Sequence, residues 1–222
     1  MDAFIAQFLN PAIMQAALPD IAEAFLRTVW LSLAIIFTGT LAGLALAVLR
    51  AVGKAPLTFA VRAYADVTRS LPPLVIIILW FFGLPYFGIR MSGFMVSWLV
   101  LSLVLAAFAE EIFWSGIKSI PKGQLEAARS TGLSFGAAMA HIILPQAIQH
   151  TLPPMTSRII STVKNTALAA TVATPDLLGV ALTVQGKLAN TTPLVMAAVA
   201  YLLMIYPLVI LTKRIERRRA WG

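Results

Sequence analysis

TVWLSLAIIFTGTLAGLALAVL, residues 28–49, runs for 22 residues without a charge. As an α-helix rising 1.5 Å per residue it is about 33 Å long, enough to cross a hydrocarbon layer about 30 Å thick. Three more runs of this kind follow: Ser70–Ile89 with 20 residues, Met91–Ala109 with 19 and Leu188–Thr212 with 25. The rest of the chain matches them. Of its 222 residues 59 % are apolar and only 12 % charged, where a soluble domain carries about 25 % charged residues, and the mean hydropathy is +0.87. Too few polar groups remain to coat a soluble body of this size. The chain therefore reads as an all-α integral membrane protein. Because the apolar runs extend nearly end to end, it reads as a single membrane domain over residues 1–222.

A fifth span, about Ser157–Val184, is interrupted by Arg158, Lys164 and Asp176 while Ile159, Ile160, Val163, Leu168, Val172, Leu177, Leu178 and Val180 keep it apolar. A span this polar is expected to face protein or water rather than lipid. Cytoplasmic segments of membrane proteins carry an excess of Lys and Arg, and this accounts for the net charge of +8 without invoking nucleic acid. With the N-terminus outside, twelve of the 17 basic residues fall inside: Arg50, Lys54, Arg62, Lys118, Lys122, Arg129, Arg158, Lys213, Arg214, Arg217, Arg218 and Arg219. Arg27, Arg90 and Lys187 fall outside. The distribution favours N-out, C-in and five transmembrane helices. Residues 1–26 then form an extracytoplasmic segment, 118–156 a cytoplasmic loop and 213–222 a basic cytoplasmic tail. The N-terminus lacks the basic start of a signal peptide; Phe4, Ile5, Phe8 and Leu9 fit one face of an interfacial helix, or the end is loose.

Arg62, Asp66 and Arg69 recur on one helical face that runs into Pro72-Pro73, where proline removes helical N–H donors and predicts a bend in span two. The third span returns to the same side and ends in Glu110-Glu111, so an Arg69–Glu111 ion pair is expected, either as a clamp between helices or beside a solute path. Ser157, Ser161 and Asn165 share a stripe on the next span, with Thr162, Thr166 and Lys164 beside it and Asp176 beyond. Hydroxyls are common glue between membrane helices, but Lys164 and Asp176 in one span point to a path-lining helix. Gly39 and Gly43 predict close helix packing. The chain has no cysteine, and His141 and His150 are unpartnered, which disfavours a metal site. No phosphate-binding Gly-x-x-x-x-Gly-Lys loop or nucleophile elbow occurs, so neither ATP hydrolysis nor other enzymatic chemistry is expected of this chain.

The most informative loop is residues 122–154, KGQLEAARSTGLSFGAAMAHIILPQAIQHTLPP. Leu125–Ser130 favours helix and Gly132 suits the left-handed residue that ends one. A second amphipathic stretch runs from Ser134 and is predicted to stop at Pro145. Two short helices joined by a sharp turn make either a docking knob or a loop lying on the headgroups.

Glu126-Ala127-Ala128, Gly132, Ile142, Leu144 and Pro145 stand in one register, EAA, three residues, Gly, nine residues, Ile, one residue, Leu-Pro. This register resembles the signature of permease subunits of ATP-binding-cassette (ABC) importers. Arg69-Ser70-Leu71-Pro72, Glu111-Ile112-Phe113 with Gly116-Ile117, Gly123-Gln124, Lys164-Asn165-Thr166-Ala167-Leu168 and Asp176-Leu177-Leu178 are similar to stretches of the polar amino acid group of these permeases (histidine, glutamine, glutamate, arginine, opines). The likeness covers about residues 22–215; Trp114, Asn165, Ala167 and Asp176 depart from the group's usual residues. The resemblance implies a type I importer permease fold in a bacterial inner membrane. It also implies an ABC ATPase dimer that binds the ATP, a second permease chain (the same or a relative), an extracytoplasmic amino-acid-binding protein, and no cofactor or nucleic acid. It makes Glu126, Ala127, Ala128, Gly132, Ile142, Leu144 and Pro145 the ATPase-coupling residues. Arg69, Glu111, Lys164, Asn165, Thr166 and Asp176 are the expected path residues for a zwitterionic solute, with another small polar solute, or a non-transporting subunit, as the alternative.

Overall fold

A computed structural model describes the backbone of residues 1–219 and the side chains of residues 1–214. Positions 220–222 of the basic tail, and the side chains of Arg217, Arg218 and Arg219, lie outside the described residues. Every regular element among the described residues is helical. Helix α1, Asp2–Phe8, is short and its Phe4 and Phe8 rings stack at 4.8 Å. Helix α2, Pro11–Ala51, starts where Asn10 accepts from the amides of Ala12 and Ile13 and Pro11 takes a first-turn position that needs no donor. Its 41 residues make a rod about 61 Å long. Residues 11–26, assigned from the sequence to an extracytoplasmic N-terminal segment, are therefore the start of the same helix that carries the charge-free run. Nor is the N-terminus free. Thr191 N–H donates to the Gln7 carbonyl at 3.0 Å, Asn190 Nδ2 to the Ala6 carbonyl at 2.9 Å, and Asn10 N–H to Thr192 Oγ1 at 3.2 Å.

Span two differs from the expected bent helix. Helix α3, Ala55–Ser70, and helix α4, Pro73–Gly83, with a 3₁₀ turn over Leu84–Phe87, are separate pieces meeting at 98°. Two consecutive prolines withdraw two donors and hold the chain extended at Leu71 and Pro72, so the helix breaks rather than bends. The Arg62/Asp66/Arg69 face belongs to α3 alone.

Helix α5, Gly93–Ser119, is the centre of the bundle, and glycine lets its neighbours approach. A Cβ on Gly39 would stand 2.8 Å from the Leu105 Cβ, and one on Gly43 2.5 Å from that of Ala109. These two glycines carry α2 onto α5. Thr38 Oγ1 and Ser102 Oγ share a hydrogen bond of 2.7 Å across the same seam. On the other side, a Cβ on Gly116 would run into Thr151 Cγ2. Leu31, Ile35, Val100, Leu101 and Leu105 form the core between α2 and α5.

Helix α6, Lys122–Ser130, precedes a continuous rod made of α7 (Phe135–Ala138), a π turn (Met139–Ile143), α8 (Leu144–Asn165) and a 3₁₀ turn (Thr166–Val172). The expected stop at Pro145 does not occur. A proline ring strikes the carbonyl four residues back, here that of His141, which lies in the widened π turn. The rod breaks at residues 173–176, and α9, Leu177–Leu188, leaves it at 48°. Helix α10, Thr192–Arg219, completes the chain. Three segments, Asp2–Ala51, Gly93–Ser119 and Thr192–Arg214, are each long and apolar enough to cross a membrane. Counting each bent pair as one span brings the number to as many as five.

Candidate functional site

The signature residues divide by role around one turn. At the end of α6 the backbone amides of Thr131, Gly132 and Leu133 return to the carbonyls of Ala127, Arg129 and Ala128, and Gly132 takes φ +88°, a region an L side chain enters at a cost. A Cβ there would meet nothing within 4 Å beyond its chain neighbours, so the glycine serves the turn rather than packing. Ala128 is buried. Ile142 and Leu144 are half-buried against Ile120, Met139, Ile143 and Ala147, which seats the turn on the ends of α5 and α2. Glu126, Ala127 and Pro145 face outward. A stiff turn with Glu126 exposed between Lys122 and Arg129, and an apolar foot, can transmit a push to the helices beneath it.

A charged junction lies on α5, next to that foot. Arg50 Nη1 stands 2.9 Å from Glu110 Oε1 and 3.2 Å from Glu111 Oε2. The Glu110 side chain is 0 % exposed and that of Arg50 5 %. The Arg50 guanidinium also lies 4.6 Å from the centre of the Trp114 ring. Arg69 reaches the same carboxylate, Nη1 to Glu111 Oε2 at 3.6 Å, while its Nη2 donates to Asp66 at 2.6 Å. Glu111 thus joins α3 to α2 through α5. Sequence reasoning paired Arg69 with Glu111 but overlooked Arg50, which it counted as one more cytoplasmic charge. The clue was present: Gly39, Gly43, Ala47 and Arg50 fall on one helical face, and all four are buried.

The path candidates on α8 and beyond separate into two sets. Ser157, Ser161 and Lys164 are exposed and Asn165 is half-buried beside them, forming an open polar stripe on an otherwise apolar rod. Thr166 is turned inward, its hydroxyl donating to the Val163 carbonyl at 2.7 Å. Asp176 is also internal, 1 % exposed. Its carboxylate accepts from the amides of Gly179 (3.0 Å) and Leu178 (3.3 Å) and from the Tyr201 hydroxyl (3.4 Å). It caps α9 at the break in the rod, where Thr28 Oγ1 of α2 also accepts from the Leu177 amide at 2.8 Å. The structure therefore brings Arg69 and Glu111 together, leaves Lys164 and Asn165 along the open stripe, and assigns the polar groups of Thr166 and Asp176 to internal bonds.

The family described as "binding-protein-dependent transport system inner membrane component" matches residues 39–221. The chain is 35 % identical over 202 residues to the probable glutamine ABC transporter permease protein GlnM of Bacillus subtilis (strain 168), covering 88 % of this chain and 91 % of that one. It is 33 % identical to the histidine/lysine/arginine/ornithine transport system permease protein HisM of Salmonella typhimurium, over 86 % of each. Among solved structures, a chain from the crystal structure of an amino acid ABC transporter with histidines superposes with a TM-score of 0.82 at 29 % identity, covering 92 % of this chain and 96 % of that one. A chain of the MetNI methionine ABC transporter, at 20 % identity and a TM-score of 0.72, shares the fold. In such systems the ATPase is a separate subunit, and this chain is not itself an enzyme. With the signature turn, the α5-centred bundle and these matches in agreement, the chain belongs to the family of binding-protein-dependent transport system inner membrane components.

Proposed function

We propose that this chain is the permease subunit of an ABC importer that carries a polar amino acid, and that it crosses the membrane five times with its N-terminus outside and its C-terminus inside. Each bent pair is then one span, residues 118–156 lie in the cytoplasm around α6, and the tail 213–222 joins them there. An ATPase dimer engages Glu126–Pro145, a second permease chain completes the path, and an extracytoplasmic binding protein delivers the solute. The observation that carries this reading is the Gly132 turn. Its left-handed φ and apolar foot give the signature a stiff form, with Glu126 and Ala127 presented outward. Relatives at 33–35 % identity named for glutamine and for histidine, lysine, arginine and ornithine support the cargo class.

The solute path runs past Arg69 and Glu111 and along the open stripe of Lys164 and Asn165. Closure of the ATPase dimer moves α6 and, through Ile142 and Leu144, tilts α5 and α8; the equilibrium shifts because the dimer grips the turn differently in its two states. The test is ATP-driven accumulation of radiolabelled L-amino acids in vesicles holding the purified importer, together with co-purification of the ATPase on the tagged chain. Accumulation with wild type, and loss of the ATPase with Glu126→Lys, are expected. An ATPase that stays bound to Glu126→Lys overturns the coupling role, and no accumulation of any L-amino acid overturns the cargo.

A further inference from the structure

Helix α10 is the least enclosed of the three long spans. Leu202 and Leu203 are each 64 % exposed and Tyr206 59 %. Where its apolar turns give way to basic residues, Tyr206, Val209, Ile210, Lys213 and Arg214 line a shallow groove of about 230 Å³. Side chains on a helix lean over the turn that precedes them, so Lys213 covers Val209 and Arg214 covers Ile210, each four residues back. The groove thus has an apolar floor and, at one end, two exposed cations.

Its depth narrows what can reach it. α10 begins at Thr192, whose hydroxyl accepts from the Asn10 amide. From there to Lys213 the helix rises about 31 Å, and a bilayer core is about 30 Å thick. With α10 crossing the bilayer, the groove floor lies among acyl chains and the two cations lie level with the phosphates. A soluble anion such as inorganic phosphate gains nothing from the apolar floor. A phospholipid presents both parts in the required order, a chain against Val209 and Ile210 and a phosphodiester against Lys213 and Arg214. Headgroup charge then selects among lipids. A phosphatidylcholine headgroup carries its own cation to the site, where it meets two more, whereas a phosphatidylglycerol headgroup carries only the anion.

We propose that the basic end of α10 binds an anionic phospholipid, its phosphate on Lys213 and Arg214 and one chain in the groove. The proposal rests on α10 crossing the bilayer and on no particular solute or path. Because α10 packs against α8, a lipid held there sets the depth of both helices in the leaflet.

The test titrates the complete, delipidated importer in mild detergent with phosphatidylglycerol or phosphatidylcholine, counting bound lipids by native mass spectrometry. Wild type is expected to bind phosphatidylglycerol roughly tenfold more tightly at its strongest site. Lys213→Gln and Arg214→Gln are each expected to weaken that binding about fivefold, with phosphatidylcholine binding unchanged. Arg219→Gln removes the same charge from a position six residues beyond Lys213, on the opposite side of α10 by helical register, and is expected to leave the affinity within about twofold of wild type. An equal loss in Arg219→Gln would reveal a diffuse field in place of a site and overturn the proposal. Unchanged phosphatidylglycerol affinity in both groove variants places the lipid elsewhere and also overturns it. So does equal affinity of wild type for the two lipids, the outcome expected if a second permease chain covers this face. Displacement of the lipid by excess inorganic phosphate would give the groove to a soluble anion instead. Amino acid uptake by the same importer in vesicles is read separately, so a failure of the cargo reading leaves the lipid result standing.

Discussion

Glu110 has no exposure and a single guanidinium within reach, so its charge is tolerable only while Arg50 stays beside it. Removing one member of a buried pair leaves the other uncompensated and costs about 3–5 kcal/mol, whereas replacing both with apolar groups of similar volume is often neutral. Glu110→Gln is therefore expected to lower the thermal midpoint of the detergent-solubilised chain markedly, and Arg50→Met with Glu110→Leu to recover most of the loss. Equal midpoints for Glu110→Gln and wild type would show that the pair contributes nothing. Glu111 is half as constrained, since its side chain is 42 % exposed and lies between two arginines. Its removal is expected to free α3 from α5 without unfolding the bundle. Adjacent in sequence, the two glutamates differ because one faces the α2 glycine stripe and the other the cleft.

At the scale of elements, the bundle depends on approaches that a side chain would block. A Cβ on Gly43 is already 2.5 Å from the Ala109 Cβ and 2.8 Å from the Ala106 carbonyl, and neither backbone can yield. Gly43→Val is expected to push α2 off α5 and sharply reduce recovery of folded chain, whereas Gly136→Ala, with open space around it, should leave recovery unchanged; similar yields for both would refute the close seam. Gly132 is limiting for a different reason. It has room for a side chain but φ +88°, and a left-handed L residue costs about 1–2 kcal/mol. Gly132→Ala is expected to insert normally and to lower solute carried per ATP hydrolysed, with Gly132→Pro more severe; normal coupling in the proline variant would remove the turn from the mechanism. The glycine pair and the Gly132 turn were legible in the sequence because each is a local requirement of the backbone. The 98° break at Pro72-Pro73 was legible only as a bend, since two missing donors do not set an angle. Pro145 misled, because a proline inside a helix is tolerated when the turn before it widens, and nothing in the residue types announces a π turn. Asp176 was legible only as an acid in an apolar span, and residue types did not announce that its carboxylate also holds the start of α9. The site was legible where spacing put charges on one face, and obscure where long-range packing chose which face turned inward.

For the whole molecule, the proposed orientation rests on charge, and two of the charges that support it have other contacts. Arg50 and Arg158 counted towards the cytoplasmic excess, yet both lie against α5, one in a buried pair and one over an aromatic ring. Without them the proposed N-out arrangement still puts ten basic residues inside against Arg27, Arg90 and Lys187 outside, and the asymmetry on which that proposal rests survives. The chain contains no cysteine, so single replacements can be labelled against no background. Asp2→Cys, Gly123→Cys and Lys213→Cys are suitable because all three positions are exposed. In intact spheroplasts, a membrane-impermeant maleimide is expected to label Asp2→Cys and to reach the other two only after the membrane is opened. Labelling of Gly123→Cys from outside would place the signature turn on the wrong face for an ATPase. Labelling of Asp2→Cys and Lys213→Cys from the same side would require an even number of spans, so that one of the two bent pairs, α3 with α4 or α8 with α9, would enter and leave the bilayer on one face instead of crossing it.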